Sequence, residues 1–392
     1  MTLRRVLLIL TMTAPLFAHA EGGVLGLIKK VGARIDSMTI RGVDRRYIEI
    51  PEKPWQVMLK GNVNRSELNM DAMFDDKRLL QDGSGNINWA PRFSTPVSTY
   101  VGLWAGYRGH GIGYSRNISG GDGRDFNLGS ISSSYGVSLN IHSFSTKKPT
   151  VDMSGYKSDQ EERTFDYELN DPMRVRLLTL DGYYLFNSKR CSYTAAFEQS
   201  VIQRRSSGSL MVGGMYYHST IDYAEGRNGD FIYFMNDIGK MKHYQLSLGG
   251  GYAYNWVPCK GLLVTGLGMV LMTVYNRLDV WRYNSLLRQM ILEKEKPETG
   301  TQNSNAISEM SQDEIKQAAK DFIAIWPMEN GAYERQYSRI KPVIDARLSV
   351  TYNVGNLFFN ANAQLYHFSF RYEENQGRLV DWHINASGGI RF

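Results

Sequence analysis

Seven polar side chains carry most of the chemistry this chain offers: Glu198, His243, Asp345, Arg347, Asp381, His383 and Arg391. Each sits in a stretch that reads as a strand, on the side opposite the apolar residues, together with Gln245. Carboxylates, imidazoles and guanidinium groups on one shared face either pair into a network or line water and select a solute, because burying them unpaired is too costly. Acid–base or nucleophilic catalysis is harder to assemble. His218 adjoins Ser219, but neighbouring residues of a strand point to opposite faces, so the two do not pair directly. The sequence holds no nucleophile elbow, no HExxH and no paired-cysteine metal spacing, so no catalytic residue, metal or cofactor is assigned. The stretch SGGDGRD (119–125) places Asp122 and Asp125 among glycines. A calcium site needs more oxygen ligands in register, so an exposed hairpin turn is expected there.

The elements that position these groups have a period of two. In LVDWHINASGGIRF (379–392), Val380, Trp382, Ile384, Ala386, Gly388, Ile390 and Phe392 alternate with Asp381, His383, Asn385, Ser387, Gly389 and Arg391. That alternation defines a strand with one apolar and one wet face, about twice the usual globular length. About ten residues tilted near 40° cross the roughly 25 Å apolar band of an outer membrane. The same pattern recurs in HYQLSLGGGYAYNW (243–256), KPVIDARLSVTY (341–352) and SSYGVSLNIHS (133–143). Less regular strands are expected at 55–62, 98–107, 109–118, 174–187, 191–201, 208–220, 260–275 and 356–371. The expected total of about twelve suits an antiparallel up-and-down transmembrane β-barrel, which is all-β and closes on an even number.

Composition agrees. Arg4 and Arg5, the apolar run VLLILTMTAPLF (6–17) and Ala18, His19, Ala20 read as a secretory signal peptide over residues 1–20. No later apolar run is long enough for a membrane helix, which says nothing against strands. The formal net charge of +6 is mild for 392 residues, so nucleic acid is not an expected partner. Twenty-four tyrosines and 38 glycines suit aromatic girdles and tightly packed strands.

Residues 21–54 form an N-terminal periplasmic segment in which Val24, Leu27, Ile28, Val31 and Ile35 predict an amphipathic helix, with the barrel following over 55–392. Turns at 353–355, 257–259, 202–207 and 108–109 fall on the periplasmic side; 63–97, 119–132, 221–242 and 276–340 fall outside. Two connections break this asymmetry: 144–173 is long where a short turn is due, and the outer loop NSKR (187–190) is short. Within 276–340, VWRYNSLLRQMILEKEK (280–296) and SQDEIKQAAKDFIAIW (311–326) carry one-sided apolar spacing, the second behind a Ser311/Glu314 capping box. A helical hairpin insertion is expected there. Cys191 and Cys259 are assigned to opposite rims about 25 Å apart, beyond disulfide reach.

The terminal phenylalanine resembles the closing strand of bacterial outer-membrane barrels, and that resemblance implies the barrel-assembly machinery as a partner through Phe392. RYIEIPEKPWQVML (46–59), YVGLWAGYRGHGIGYS (100–115), DFNLGSISSSYGVSL (125–139) and QRRSSGS (203–209) resemble, in order, an uncharacterised outer-membrane family of Bacteroides-type bacteria catalogued as domain of unknown function 4421. The resemblance implies architecture and adds no chemistry. The expected function is a non-enzymatic outer-membrane barrel in contact with lipid, acting as a channel for a small solute or as a surface-binding or structural envelope protein. A lipid-modifying outer-membrane enzyme and a secreted soluble β-rich binding protein are the alternatives.

Overall fold

The computed structural model describes residues 42–74, 87–90, 92–94, 97–119, 123–132, 134–153, 163–223, 228, 231–232, 238–282, 332–337, 342–372 and 375–392. The signal peptide, the amphipathic helix of 24–35 and most of the helical insertion lie outside the described residues.

Twelve long strands form the wall: β1 (Trp55–Phe74), β2 (Ser98–Tyr107), β3 (His110–Asn117), β4 (Arg124–Ile131), β5 (Tyr135–Thr146) and β6 (Met173–Leu185) make one half. The other half is β7 (Ser207–Asp222), β8 (Ile238–Cys259), β9 (Leu262–Arg282), β10 (Pro342–Val354), β11 (Leu357–Tyr372) and β12 (Asn375–Arg391). Each pairs antiparallel with its sequence neighbour, and β12 closes on β1 from Gln376↔Asp71 to Arg391↔Gln56. Closure gives the long strands two paired edges each, the condition for crossing hydrocarbon. Side chains obey the period of two: on β10, Val343, Asp345, Arg347, Ser349 and Thr351 are buried inside while Ile344, Leu348, Val350 and Tyr352 are exposed outside. Exposed Leu59, Leu103, Leu210, Leu248, Val270 and Phe359 continue this apolar exterior around the wall, with Trp55, Phe186 and Trp256 at its short-turn end. A closed barrel with an apolar outside and polar groups within is an outer-membrane protein.

Short links at 108–109, 260–261 and 355–356 mark the periplasmic rim; the strand ends at Phe74, Thr146, Asp222 and Arg282 lie toward the other side. The expected count of twelve holds through two errors that offset each other. Arg124–Ile131 is a strand, although its glycine-rich approach reads as part of a loop. Residues 191–201 are not a strand. They hold the short helix α1 (Tyr193–Phe197), whose N-cap Ser192 accepts from the Ala195 amide. Because α1 is enclosed by the barrel, Cys191 to Ala196 are buried on every side, and apolar spacing there carries no face information. Shifting one strand from 191–201 to 124–131 removes both irregular connections: 147–172 becomes an outer loop and 186–206 a periplasmic link.

Three further expectations are corrected. Cys191 and Cys259 lie toward the same periplasmic end and are both free, so the absence of a bond stands while the opposite-rim reason does not. Residues 276–282 continue β9, and Ala332–Tyr337 pairs with that extension, so the segment assigned to a helical insertion begins and ends as sheet. The closing strand ends at Arg391, not at Phe392, which lies beyond it. The idea of a phenylalanine-terminated strand addressing the barrel-assembly machinery is therefore set aside.

Candidate functional site

The link from 186 to 206 turns up into the barrel and becomes its floor. Ala196 O, at the end of α1, accepts from Ser349 Oγ at 2.7 Å, Asn360 Nδ2 at 2.9 Å and Thr351 Oγ1 at 3.3 Å, three donors on β10 and β11. Gln199 O accepts from Gln56 Nε2 at 2.7 Å and from Arg391 Nε and Nη2 at 3.0 and 2.7 Å, on β1 and β12. Helix-end carbonyls have no partner within a single turn of helix, and here the wall supplies them. A second layer lies beneath: Ile48–Glu49 pairs antiparallel with Ile202–Gln203, and Ile48 packs with Ala195, Ala196, Val201 and Leu263. Outside the membrane-spanning strands, the hydrogen bond from the Arg46 side chain holds the Asp44 carboxyl at about 2, below its ordinary value.

Above this floor the lumen has two unlike halves. Facing β6–β9, Val175, Leu177, Met211, Met215, Met241, Met269 and Leu271 pack as a dry apolar core. The lumen is thus not polar throughout: on these strands apolar Met211, Met215, Met241, Met269 and Leu271 share the inner face with Ser219, His243 and Gln245, a mixture that the alternation argument read as polar. Facing β1, β3–β5 and β10–β12, and reaching Thr179 and Asp181 of β6, is a polar chamber of about 170 Å³. Asn385 donates to Asn362 at 2.9 Å and Asn362 to Asn360 at 2.7 Å, forming an amide ladder up one wall. Opposite, Asn62 donates to Asp125 at 3.1 Å, and Tyr100 meets His142 at 3.4 Å.

Between the halves stands Arg347. Its Nη2 contacts Asp345 at 2.7 Å and Asp181 at 3.3 Å, while Nη1 donates to the Tyr193 hydroxyl of α1 at 2.6 Å. Arg347 is 6% exposed and Asp345 0%, so the charge-assisted bonds replace the water both lost. Gln364 joins this cluster when its amide oxygen faces Arg347 at 2.6 and 2.9 Å and its nitrogen faces His383 at 2.8 Å.

All seven sequence-derived residues point inward, and they do not form one network. Asp345 and Arg347 form the central cluster, and Asp381 and His383 line the chamber beside it. Glu198 also lines the chamber, from the plug and not from a strand. Arg391 clamps the plug from below, and His243 stands apart, donating from Nε2 to Asn276 Oδ1 at 2.8 Å. His218 and Ser219 diverge as alternation requires: His218 stacks on Tyr244 outside, and Ser219 is buried inside. Sequence reasoning missed Asp181, Asp125, Tyr193 and Tyr366, whose hydroxyl accepts from Arg347 Nη2 at 3.2 Å. Asp181 was legible as an inward residue of 174–187, but Tyr193 reaches Arg347 only because its segment is a plug. Among the described residues no cluster of three or more His, Cys, Asp or Glu is arranged to hold a metal.

The family model described as domain of unknown function 4421 matches residues 42–385. The chain belongs to that family. In this family member, two of the stretches that carry the resemblance, 46–59 and 203–209, meet at the floor, where Ile48 pairs with Gln203. A third, 100–115, is the β2–β3 hairpin, whose Arg108 Nη1 donates to Pro51 O at 2.6 Å. No curated protein matches the chain. Solved structures with a similar course include the outer membrane protease OmpT from Escherichia coli, at 6% identity and TM-score 0.36 over 88% of this chain and 98% of that one. The beta domain of the Bordetella autotransporter BrkA gives 9% and 0.32 over 86% and 100%, and the Pseudomonas putida toluene transporter TodX 8% and 0.29 over 87% and 90%. Likeness at these values says nothing of what this chain binds or does.

Proposed function

We propose that this outer-membrane barrel is a plugged, non-enzymatic protein whose polar chamber receives a small polar solute above a resident periplasmic plug. One observation carries this reading: two plug carbonyls, Ala196 O and Gln199 O, take donors from the adjacent strands β10, β11, β12 and β1, while a third, Ser192 O, accepts from Asn255 Nδ2 of β8 at 2.8 Å. A link hydrogen-bonded to so much of the wall obstructs the bore. Amides, carboxylates and tyrosines lining the chamber suit a hydroxyl-rich or zwitterionic solute better than an apolar one. The non-enzymatic part is supported by the divergence of His218 and Ser219. The Bacteroides-type origin rests on the four resembling stretches, and a surface-exposed helical hairpin within 283–331 on the Ser311/Glu314 capping box and the one-sided apolar spacing.

Planar-bilayer recording tests the reading. The intact protein is expected to give no steady conductance, and a variant with 191–201 replaced by a glycine–serine turn is expected to give an ohmic one. Steady conductance by the intact barrel would overturn the plug, and phospholipid hydrolysis by the refolded protein would overturn the non-enzymatic assignment.

A further inference from the structure

The outer face of the wall carries a feature the lumen does not explain. On β8 the outward residues Leu246, Leu248, Gly250, Tyr252, Tyr254 and Trp256 cover about ten residues, which at a tilt near 40° is about 25 Å, the height of the apolar band. Immediately above, toward the outer loops, the outward side chains change character. Register puts Arg176, Thr220, Lys242, Asp279 and Arg335 in one lateral row across five neighbouring strands. The row above it reads Arg174, Asp222, Lys240, Trp281 and Tyr333, and the row below it Leu178, His218, Tyr244, Arg277 and Tyr337. Six cations stand against two carboxylates in this grid.

Its internal contacts leave positive charge over. Asp222 pairs with Lys240 at 2.5 Å, and Asp279 is shared by Arg277 and Arg335, each at 3.2 Å. Arg176 and Lys242 have no carboxylate partner among the described residues. Lys242 instead lies 4.9 Å from the centre of the Trp281 ring, and Arg277 lies 4.1 Å from that of Tyr244. These rings hold the cations at headgroup level. Adjacent strands are about 4.8 Å apart, so Arg176, Lys242 and Arg335, on alternate strands, present charges about 10 Å apart.

We propose that this grid on β6–β9 and the 332–337 strand binds the phosphorylated headgroup of an outer-leaflet lipid, with its acyl chains on the apolar surface below. The surface is continuous with the lipid-facing belt, lies at the outer end of the strands, and offers excess cations to a partner that brings several phosphates. A free anion would use the charges and leave the belt unused.

Native mass spectrometry of the full chain in detergent tests this, with lipid A phosphorylated on both sugars, its dephosphorylated form and inorganic phosphate as three separate probes. The phosphorylated lipid is expected to bind, and each cation removed in Arg176→Gln, Lys242→Gln and Arg335→Gln to weaken binding about fivefold. The matched charge loss Lys189→Gln, Arg205→Gln and Lys260→Gln at the other rim is expected to leave it unchanged. Heat-shifted gel migration identifies variants that fold, and Lys242→Gln alone serves if the triple variant does not. Equal binding of the dephosphorylated lipid, saturation by inorganic phosphate alone, or unchanged affinity in a folded grid variant would each overturn the assignment.

Discussion

Arg391, the last residue of the last strand, donates from Nε and Nη2 to the carbonyl of Gln199 at 3.0 and 2.7 Å, tying barrel closure to the plug. Gln199 has φ +51°, a left-handed conformation uncommon outside glycine. The guanidinium clamp holds it there. Arg391→Met removes a charged double donor from a buried carbonyl, and the expected loss is about 2 kcal/mol in urea unfolding from vesicles. An unchanged unfolding midpoint would show that the clamp does not contribute.

Arg347→Met leaves Asp345 and Asp181 buried without their counter-charge and releases the Tyr193 hydroxyl. Breaking such a cluster from one side costs about 3–5 kcal/mol. Adding Asp345→Leu and Asp181→Asn to the same chain is expected to recover most of that loss, because the uncompensated charges leave with their partner. Additive destabilisation across the three sites would count against the network.

Gly111→Ala would drive a methyl into the Trp104 indole ring and within 2.6 Å of Ala105 O, whereas a Cβ at Gly268 meets nothing within 4 Å. Overpacking of this kind costs about 1–3 kcal/mol. Heat-shifted gel migration should therefore fall to lower temperature in Gly111→Ala and hold in Gly268→Ala. The reverse order would displace Trp104 from the interior.

Ile384 is 50% exposed on the lipid face, while Asn385 lines the chamber and donates to Asn362. A lysine costs roughly 2 to 4 kcal/mol near the bilayer midplane and less where water is at hand. Ile384→Lys is expected to reduce folded protein in the outer membrane more than Asn385→Lys. Comparable losses would refute the face assignment of β12.

Cys259 is exposed and Cys191 buried, and burial pushes the Cys191 thiol up to about 12. A thiol reagent should label the folded, unreduced protein once and the denatured, unreduced protein twice. In cells, a membrane-impermeant reagent should reach Cys259 only after the outer membrane is breached. Labelling on intact cells would invert the topology.

The sequence by itself determined the wall. Alternation such as Asp345/Arg347 against Ile344/Leu348 depends only on the pleat, so it named eleven of the twelve strands, their inner and outer faces and the closed outer-membrane architecture. It also listed inward residues one by one, from His243 to Arg391. What only the tertiary structure decided is which of them meet. Glu198 and Tyr193 read as parts of an alternating strand because a segment enclosed by the barrel is buried on all sides and has no wet face to report. Once that segment is a plug, Tyr193 reaches Arg347, 154 residues away in sequence, and Gln199 reaches Arg391, 192 away. The same holds outside. Arg176, Lys242 and Arg335 are unremarkable singly, and only strand register, a long-range property, sets them side by side.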